Sequence, residues 1–231
     1  MKTNLLLALP FLIAALISCE PEQGTKVIEL TLDTVPFDRI RLASSADVRI
    51  IQSDIFQVVI DGRQKDVDDI DVNVIDERLG IDEKGHHPGD LVIKIFLPFI
   101  RDLESSGSSF IYGESNFHQD RNMNISLEGS GQLDFAVETN NLDLELTGSA
   151  SASLEGKVSN VAVDITGSGW LKSFKLDSDI SNVRITGSGS AEVSVNDVLS
   201  ASILGSGDVF YKGHPKIFAD ITGSGKVINA N

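Results

Sequence analysis

The chain has 231 residues, one cysteine, and 19 basic against 34 acidic side chains, for a net charge of −15. That balance argues against nucleic acid as a partner, because a phosphate backbone is held by clustered Lys and Arg; it suits a self-repelling surface that attracts cations or basic ligands. The lone cysteine excludes an intrachain disulfide, and an aromatic content of 6% argues against stacking platforms for single strands or sugars.

In chain order, residues 1–18 read as a signal peptide: one positive charge at Lys2, then an apolar run from Leu5 to Ile17. That run is shorter than the roughly 20 residues a membrane-spanning helix needs. Its end, Leu16-Ile17-Ser18-Cys19, resembles the lipobox of bacterial lipoproteins. The resemblance implies that Cys19 is lipidated, that residues 19–35 hold the anchor and a polar tether, and that the membrane is a partner through that lipid. The expected location is the cell envelope, as an outer-membrane lipoprotein.

Residues 36–231 are expected to form the folded domain. Near its start, Ile40 and Leu42 precede Ser44, and Val48 and Ile50 follow it, which reads as a degenerate first turn of a repeat. The middle is less regular. Alternation in Asp66–Val74 and the apolar run Leu91–Leu97 read as strands, separated by the turn signals Lys84-Gly85 and Pro88-Gly89.

From Gly129 onward the repeat is plain. Gly-Ser-Gly or a near copy begins at Gly129, Gly148, Gly167, Gly187, Gly205 and Gly223, with spacings of 18–20 residues. Two residues before each glycine stand Leu127, Leu146, Ile165, Ile185, Ile203 and Ile221. Four residues after each stand Leu133, Ala152, Leu171, Ala191, Val209 and Val227. Apolar and polar positions alternate with the period of a β-strand. Strand, tight turn and strand every 19 residues or so leave no room for a crossover helix. The pattern predicts an all-β, right-handed parallel β-helix in which equivalent residues stack in columns at strand spacing and the six glycines form one corner. The serines between them, and Thr147, Thr166, Thr186 and Thr222 before them, are expected to bond up and down their columns.

The opening Phe37-Asp38-Arg39-Ile40 through Ala46-Asp47-Val48, the middle Leu97-Pro98 leading to Ser106-Gly107-Ser108, and the serial Thr-Gly-Ser-Gly turns resemble the auto-transporter adhesin head domain, also called the GIN domain, of Gram-negative lipoproteins. The resemblance implies a β-helical fold, export and a role in adhesion, and it brings no catalytic set. The chain departs from that pattern at Ser44-Ser45 and at Ser109, where glycines are usual.

Enzyme motifs fail on spacing. Gly-Ser-Gly is not the Gly-x-Ser-x-Gly elbow, and Gly223-Ser224-Gly225-Lys226 lacks the full phosphate-loop spacing and a following helix. His86-His87 with Asp82, Glu83 and Asp90 reads as a turn-rich loop rather than a metal site, and the acidic run Asp66–Asp71 as a solvated strand face. Neither cofactor nor metal is expected. The columns place Glu145 and Asp164 at one outward position on consecutive turns, with Arg184 next and Asp143 nearby. At about 5 Å, two carboxylates match a retaining glycosidase, but a salt-bridge ladder on a charged face gives the same pattern. The reading is a non-enzymatic envelope module that binds carbohydrate or protein, with Asp143, Glu145, Asp164 and Arg184 as the candidate ligand residues. A polysaccharide-degrading β-helix enzyme is one alternative. Another is a structural, self-associating component, joined through an apolar face around Phe96, Phe99 and Phe110. Separately, the exposed strand edge at Lys226–Asn229 needs protection, and some tendency to form a homo-oligomer is expected from it.

Overall fold

The computed structural model describes residues 26–85 and 91–231. Cys19, the segment before it and Glu20–Gly24 lie outside the described residues, as do His86, His87, Pro88, Gly89 and Asp90. The chain runs through β1 (Val27–Asp33), β2 (Arg39–Ser44), β3 (Asp47–Gln52), β4 (Gln57–Arg63), α1 (Gln64–Asp68), β5 (Ile70–Ile75), β6 (Arg78–Glu83) and β7 (Val92–Leu97). It continues through β8 (Asp102–Gly107), β9 (Phe110–Gly113), β10 (Phe117–His118), β11 (Met123–Gly129), β12 (Gln132–Gly148), β13 (Ser151–Gly167) and β14 (Trp170–Gly187). The last strands are β15 (Ser190–Gly205), β16 (Asp208–Lys212), β17 (Lys216–Gly223) and β18 (Lys226–Asn229).

These strands coil into a parallel β-solenoid with two long sheets. The incoming sheet stacks β6, β2, β8, β11, the later halves of β12 to β15, and β17. The outgoing sheet stacks β7, β3, β9, the earlier halves of β12 to β15, β16 and β18. Between them lies one continuous apolar core.

At the corner, Ser44, Gly107, Gly129, Gly148, Gly167, Gly187, Gly205 and Gly223 stand in one register. The degenerate first turn therefore sits where the sequence places it. The glycines are needed because each from Gly107 onward has positive φ, and at Gly187 (φ +122) a Cβ would lie 2.5 Å from the Gly167 carbonyl oxygen. Serine acts through its amide more than its hydroxyl. Ser149 N donates to Gly129 O, Ser168 N to Gly148 O and Ser188 N to Gly167 O, each at 2.8 Å. The expected hydroxyl ladder reduces to Ser224 Oγ donating to Ser206 Oγ at 3.0 Å, since the serine side chains at this corner point into water. A side-chain ladder forms instead at the opposite corner, where Asn160 donates to Asn141 and Asn141 to Asn122, at 3.0 and 2.8 Å.

The two departures from glycine have a physical reason. At the first corner the Glu83 carboxylate takes the place that a carbonyl holds in later turns, accepting from Ser45 N at 2.6 Å and Ser44 Oγ at 2.8 Å. Ser109, fully buried, donates its hydroxyl to Ser44 O at 2.6 Å. Replacing Glu83 with alanine strands that amide and hydroxyl and is expected to cost about 1–3 kcal/mol; an unchanged urea midpoint would refute the capping role.

The N-terminal end closes with antiparallel strands: β1 on β4 and β4 on β7 in one sheet, β5 on β6 in the other. Lys94 Nζ donates to Asp61 across β7 and β4 at 2.7 Å, which raises the lysine's pKa above its ordinary value. Two sequence expectations change here. Residues 27–33 belong to the fold as β1 rather than to the tether, because Ile28 and Leu32 pack against the core. The acidic run is not one strand face: residues 64–68 are α1, which buries Val67 and lets Arg63 Nε meet Asp66 at 2.7 Å, and the strand begins only at Ile70.

Among the described residues the C-terminal end has no such closure: β17 pairs only with β15 and β18 only with β16.

Candidate functional site

Each sheet presents several outward columns to solvent, and the chemistry of the two faces differs. On the incoming sheet the register aligns Asn124, Asp143, Ala162 and Asn182 in one column and Ser126, Glu145, Asp164 and Arg184 in the next. Inward Leu and Ile alternate with these residues, so burial of the core fixes which side chains face out. Short side chains on several turns leave an open groove of about 690 Å³, lined by all four residues singled out from the sequence: Asp143, Glu145, Asp164 and Arg184. Arg184 Nη1 lies 3.6 Å from Asp164 Oδ2, while Asp143 and Glu145 are exposed. Strand spacing sets Glu145 about 4.8 Å from Asp164 at the backbone. Aromatic rings are missing from this groove's lining; it offers carboxylates, amides and hydroxyls to a polar ligand.

The outgoing sheet carries a second concavity, which the aromatic scarcity of the sequence had argued against. Its register aligns Phe110, Gln132, Ser151 and Trp170 in one column and Tyr112, Asp134, Ser153 and Lys172 in the neighbouring one. Phe110 and Tyr112 stand side by side with ring planes 10° apart and centroids 6.5 Å apart. Trp170 lies three strand spacings away, about 14 Å, with Lys172 Nζ 5.4 Å from its ring centroid. Between Phe110 and Tyr112 on one side and Lys172 on the other, Gln132, Asp134, Ser151 and Ser153 floor a trough of about 210 Å³. Behind Tyr112 in its column, Arg49 pairs with Glu114 at 2.6 Å, which raises the guanidinium pKa further. The signal was present in the sequence: Phe110 and Trp170 share one offset from their turn glycines, three residues on, but composition treats rings as a fraction and not as a column.

Other candidates dissolve. Asp82 is held by Arg41 at 2.7 Å and Glu83 caps the first corner, so these two acids have structural partners, while His86, His87 and Asp90 lie outside the described residues. Phe96, Phe99 and Phe110 do not form one apolar face. Phe96 is half-buried on β7, Phe99 lies under the Arg121 guanidinium at 4.0 Å, and Phe110 belongs to the trough.

Fold and faces together define a β-solenoid with an open concavity on each of its two faces. The chain belongs to the family described as "Putative auto-transporter adhesin, head GIN domain", whose model matches residues 36–215. Among solved structures it is similar to a putative adhesin of Bacteroides fragilis, at TM-score 0.81 and 21% identity over 90% of this chain and 98% of that one. A putative adhesin of Parabacteroides distasonis has a TM-score of 0.78 at 22% identity, with the same coverages. A protein from that organism described as a putative lipid binding protein has a TM-score of 0.74 at 23% identity, again over 90% and 98%. At these identities the likeness establishes the fold. No curated protein matches the chain significantly. The family places the chain among envelope or surface proteins, named as adhesins and not as enzymes. Among the described residues no helix is long and apolar enough to cross a membrane.

Proposed function

We propose that this protein is a non-enzymatic adhesion module of the cell envelope, held to the membrane by a lipid on Cys19, that binds carbohydrate in the aromatic-walled trough. The observation that carries the ligand class is the arrangement of rings and floor. A pyranose stacks its C–H face on an aromatic ring and directs its hydroxyls to short polar side chains. Phe110 and Tyr112 line one rim, Trp170 stands exposed on the turn that carries Lys172 at the other, and Gln132, Asp134, Ser151 and Ser153 supply donors and acceptors between them. A gap of about 14 Å takes an oligosaccharide of two or three units lying across the rungs. A protein ligand is less well served, since the floor lacks an apolar pocket for a side chain.

The groove around Asp143, Glu145, Asp164 and Arg184 is the competing site, suited to a cationic or hydroxyl-rich ligand. A glycan array probed with the full chain in mild detergent separates the two. Binding is expected to fall about tenfold or more in Tyr112→Ala/Trp170→Ala and to persist in Glu145→Ala/Asp164→Ala. Loss only in the second variant would move the site to the groove. Cleavage of an arrayed polysaccharide would instead support the degrading-enzyme alternative, and no binding by the parent chain would sink the carbohydrate reading. Radiolabelled palmitate incorporated by the parent chain and absent from Cys19→Ser tests the anchor.

A further inference from the structure

The final turn of the solenoid exposes what every earlier turn buries. Ile217 and Ile221 on β17 are 38% and 39% exposed, whereas Leu199 and Ile203, their partners one turn back, are 0% and 1% exposed. All eight residues of β17 are exposed, and among the described residues its outer edge pairs with no strand. An open core end beside a free strand edge is the kind of surface that draws another β-strand.

We propose that β17 is a dimerisation strand that pairs antiparallel with β17 of a second copy, on a two-fold axis through Phe218. Charge selects both the occupant and the register. Lys216 and Asp220 flank Phe218 at two residues on either side and share its outward face. An axis through Phe218 therefore sets Lys216 against Asp220 of the second copy twice over, and brings the two exposed Phe218 rings together. The same register puts Ile217 opposite Ala219 of the second copy, so inward residues meet inward residues and the two cores become continuous. Centring the axis on Ala219 instead would set Phe218 against Asp220 and leave Lys216 opposite Thr222. A register shifted by one residue would set inward side chains against outward ones.

The opposite end of the molecule does not compete for this surface. It terminates in the antiparallel pairs β1–β4 and β5–β6, with Glu29, Thr31, Asp33 and Asp71 along its edge strands. Copies carrying a net charge of −15 repel one another overall, and the alternation of Lys216 and Asp220 offsets that repulsion at this edge. The contact is thus isologous and closes at two copies, without propagating into a fibre. It is independent of the carbohydrate reading, since the trough lies on β9 to β14.

Sedimentation equilibrium of the full chain in density-matched detergent reads the protein mass directly. A dimer is expected, with a dissociation constant that rises about tenfold or more in Lys216→Glu, where like charges meet across the axis. The swap Lys216→Glu/Asp220→Lys restores opposite charges in the same register and is expected to recover the parent value. Unchanged far-ultraviolet circular dichroism of each variant separates loss of association from loss of folding. A monomer at the highest soluble concentration overturns the proposal. So does a dimer that tolerates Lys216→Glu, and a swap that fails to restore association overturns the register.

Discussion

Gly187→Ala is expected to destabilise the solenoid by about 2–4 kcal/mol, seen as a lowered urea midpoint, while Ser188→Ala beside it changes stability by less than about 0.5 kcal/mol. The asymmetry follows from what each side chain meets. Gly187 sits at φ +122, a conformation open to residues without a Cβ, and an added Cβ would lie 2.5 Å from Gly167 O and 3.2 Å from Gly167 C. Those atoms are backbone and cannot swing aside, because Gly167 O also accepts the Ser188 amide at 2.8 Å. Relief requires parting two turns, which breaks ladder hydrogen bonds on both sheets. The Ser188 hydroxyl is exposed, and its loss leaves the amide bond intact. Equal midpoints for the two variants would mean that the corner tolerates a Cβ and that the glycine column has another cause.

The second large effect lies in the core. Phe135→Ala is expected to cost about 3–5 kcal/mol, the range for truncating a buried aromatic ring. Phe135 is 1% exposed and packs on Phe117 with ring centroids 5.0 Å apart and planes 29° apart. Its ring occupies space left by Gly113, where a Cβ would come within 2.8 Å of Phe135 Cδ2. The cavity would be walled by strands tied into both neighbouring turns, so it cannot collapse without disturbing them. Phe210→Ala, an outward and half-buried position, is the control and is expected to cost much less. A Phe135→Ala chain whose thermal and urea transitions match those of the control would show that the N-terminal turns are not packed around this ring.

The regular half of the fold was legible because one local constraint recurs. A corner stacked on a corner demands glycine, and the glycine fixes the register of everything within six residues on either side. Ile165 and Leu171 could therefore be placed inside, and Glu145 beside Asp164, from spacing alone. The N-terminal cap was less legible because its strands pair antiparallel over variable distances, and nothing in Val27–Asp33 announces that it will meet Gln57–Arg63. The Asp76-Glu77 hairpin was hidden for a related reason: it takes positive φ at two residues (50 and 61) without glycine or asparagine to mark it. Of the two concavities, the charged groove was visible because carboxylates on consecutive turns stand out against a short alphabet of Ser, Asn and Asp. The aromatic trough was obscured by counting rings instead of aligning them.

The turns are not equal in length, yet the glycine column stays in register. Twenty residues separate Gly167 from Gly187 and eighteen separate Gly187 from Gly205, and the difference is absorbed far from the corner by two register shifts, three extra residues on β14 between Ser173 and Asp177 less one on β15 between Val195 and Val198. One edge of the molecule thus behaves as a ruler, and the other takes up the slack. Distances along the faces come in whole strand spacings. Duplication of one turn between Tyr112 and Trp170 would lengthen the trough by a single increment of about 4.8 Å, leaving each wall as it was. A lineage of such chains could retune its reach in countable steps, by copying or deleting turns, without redesigning either end.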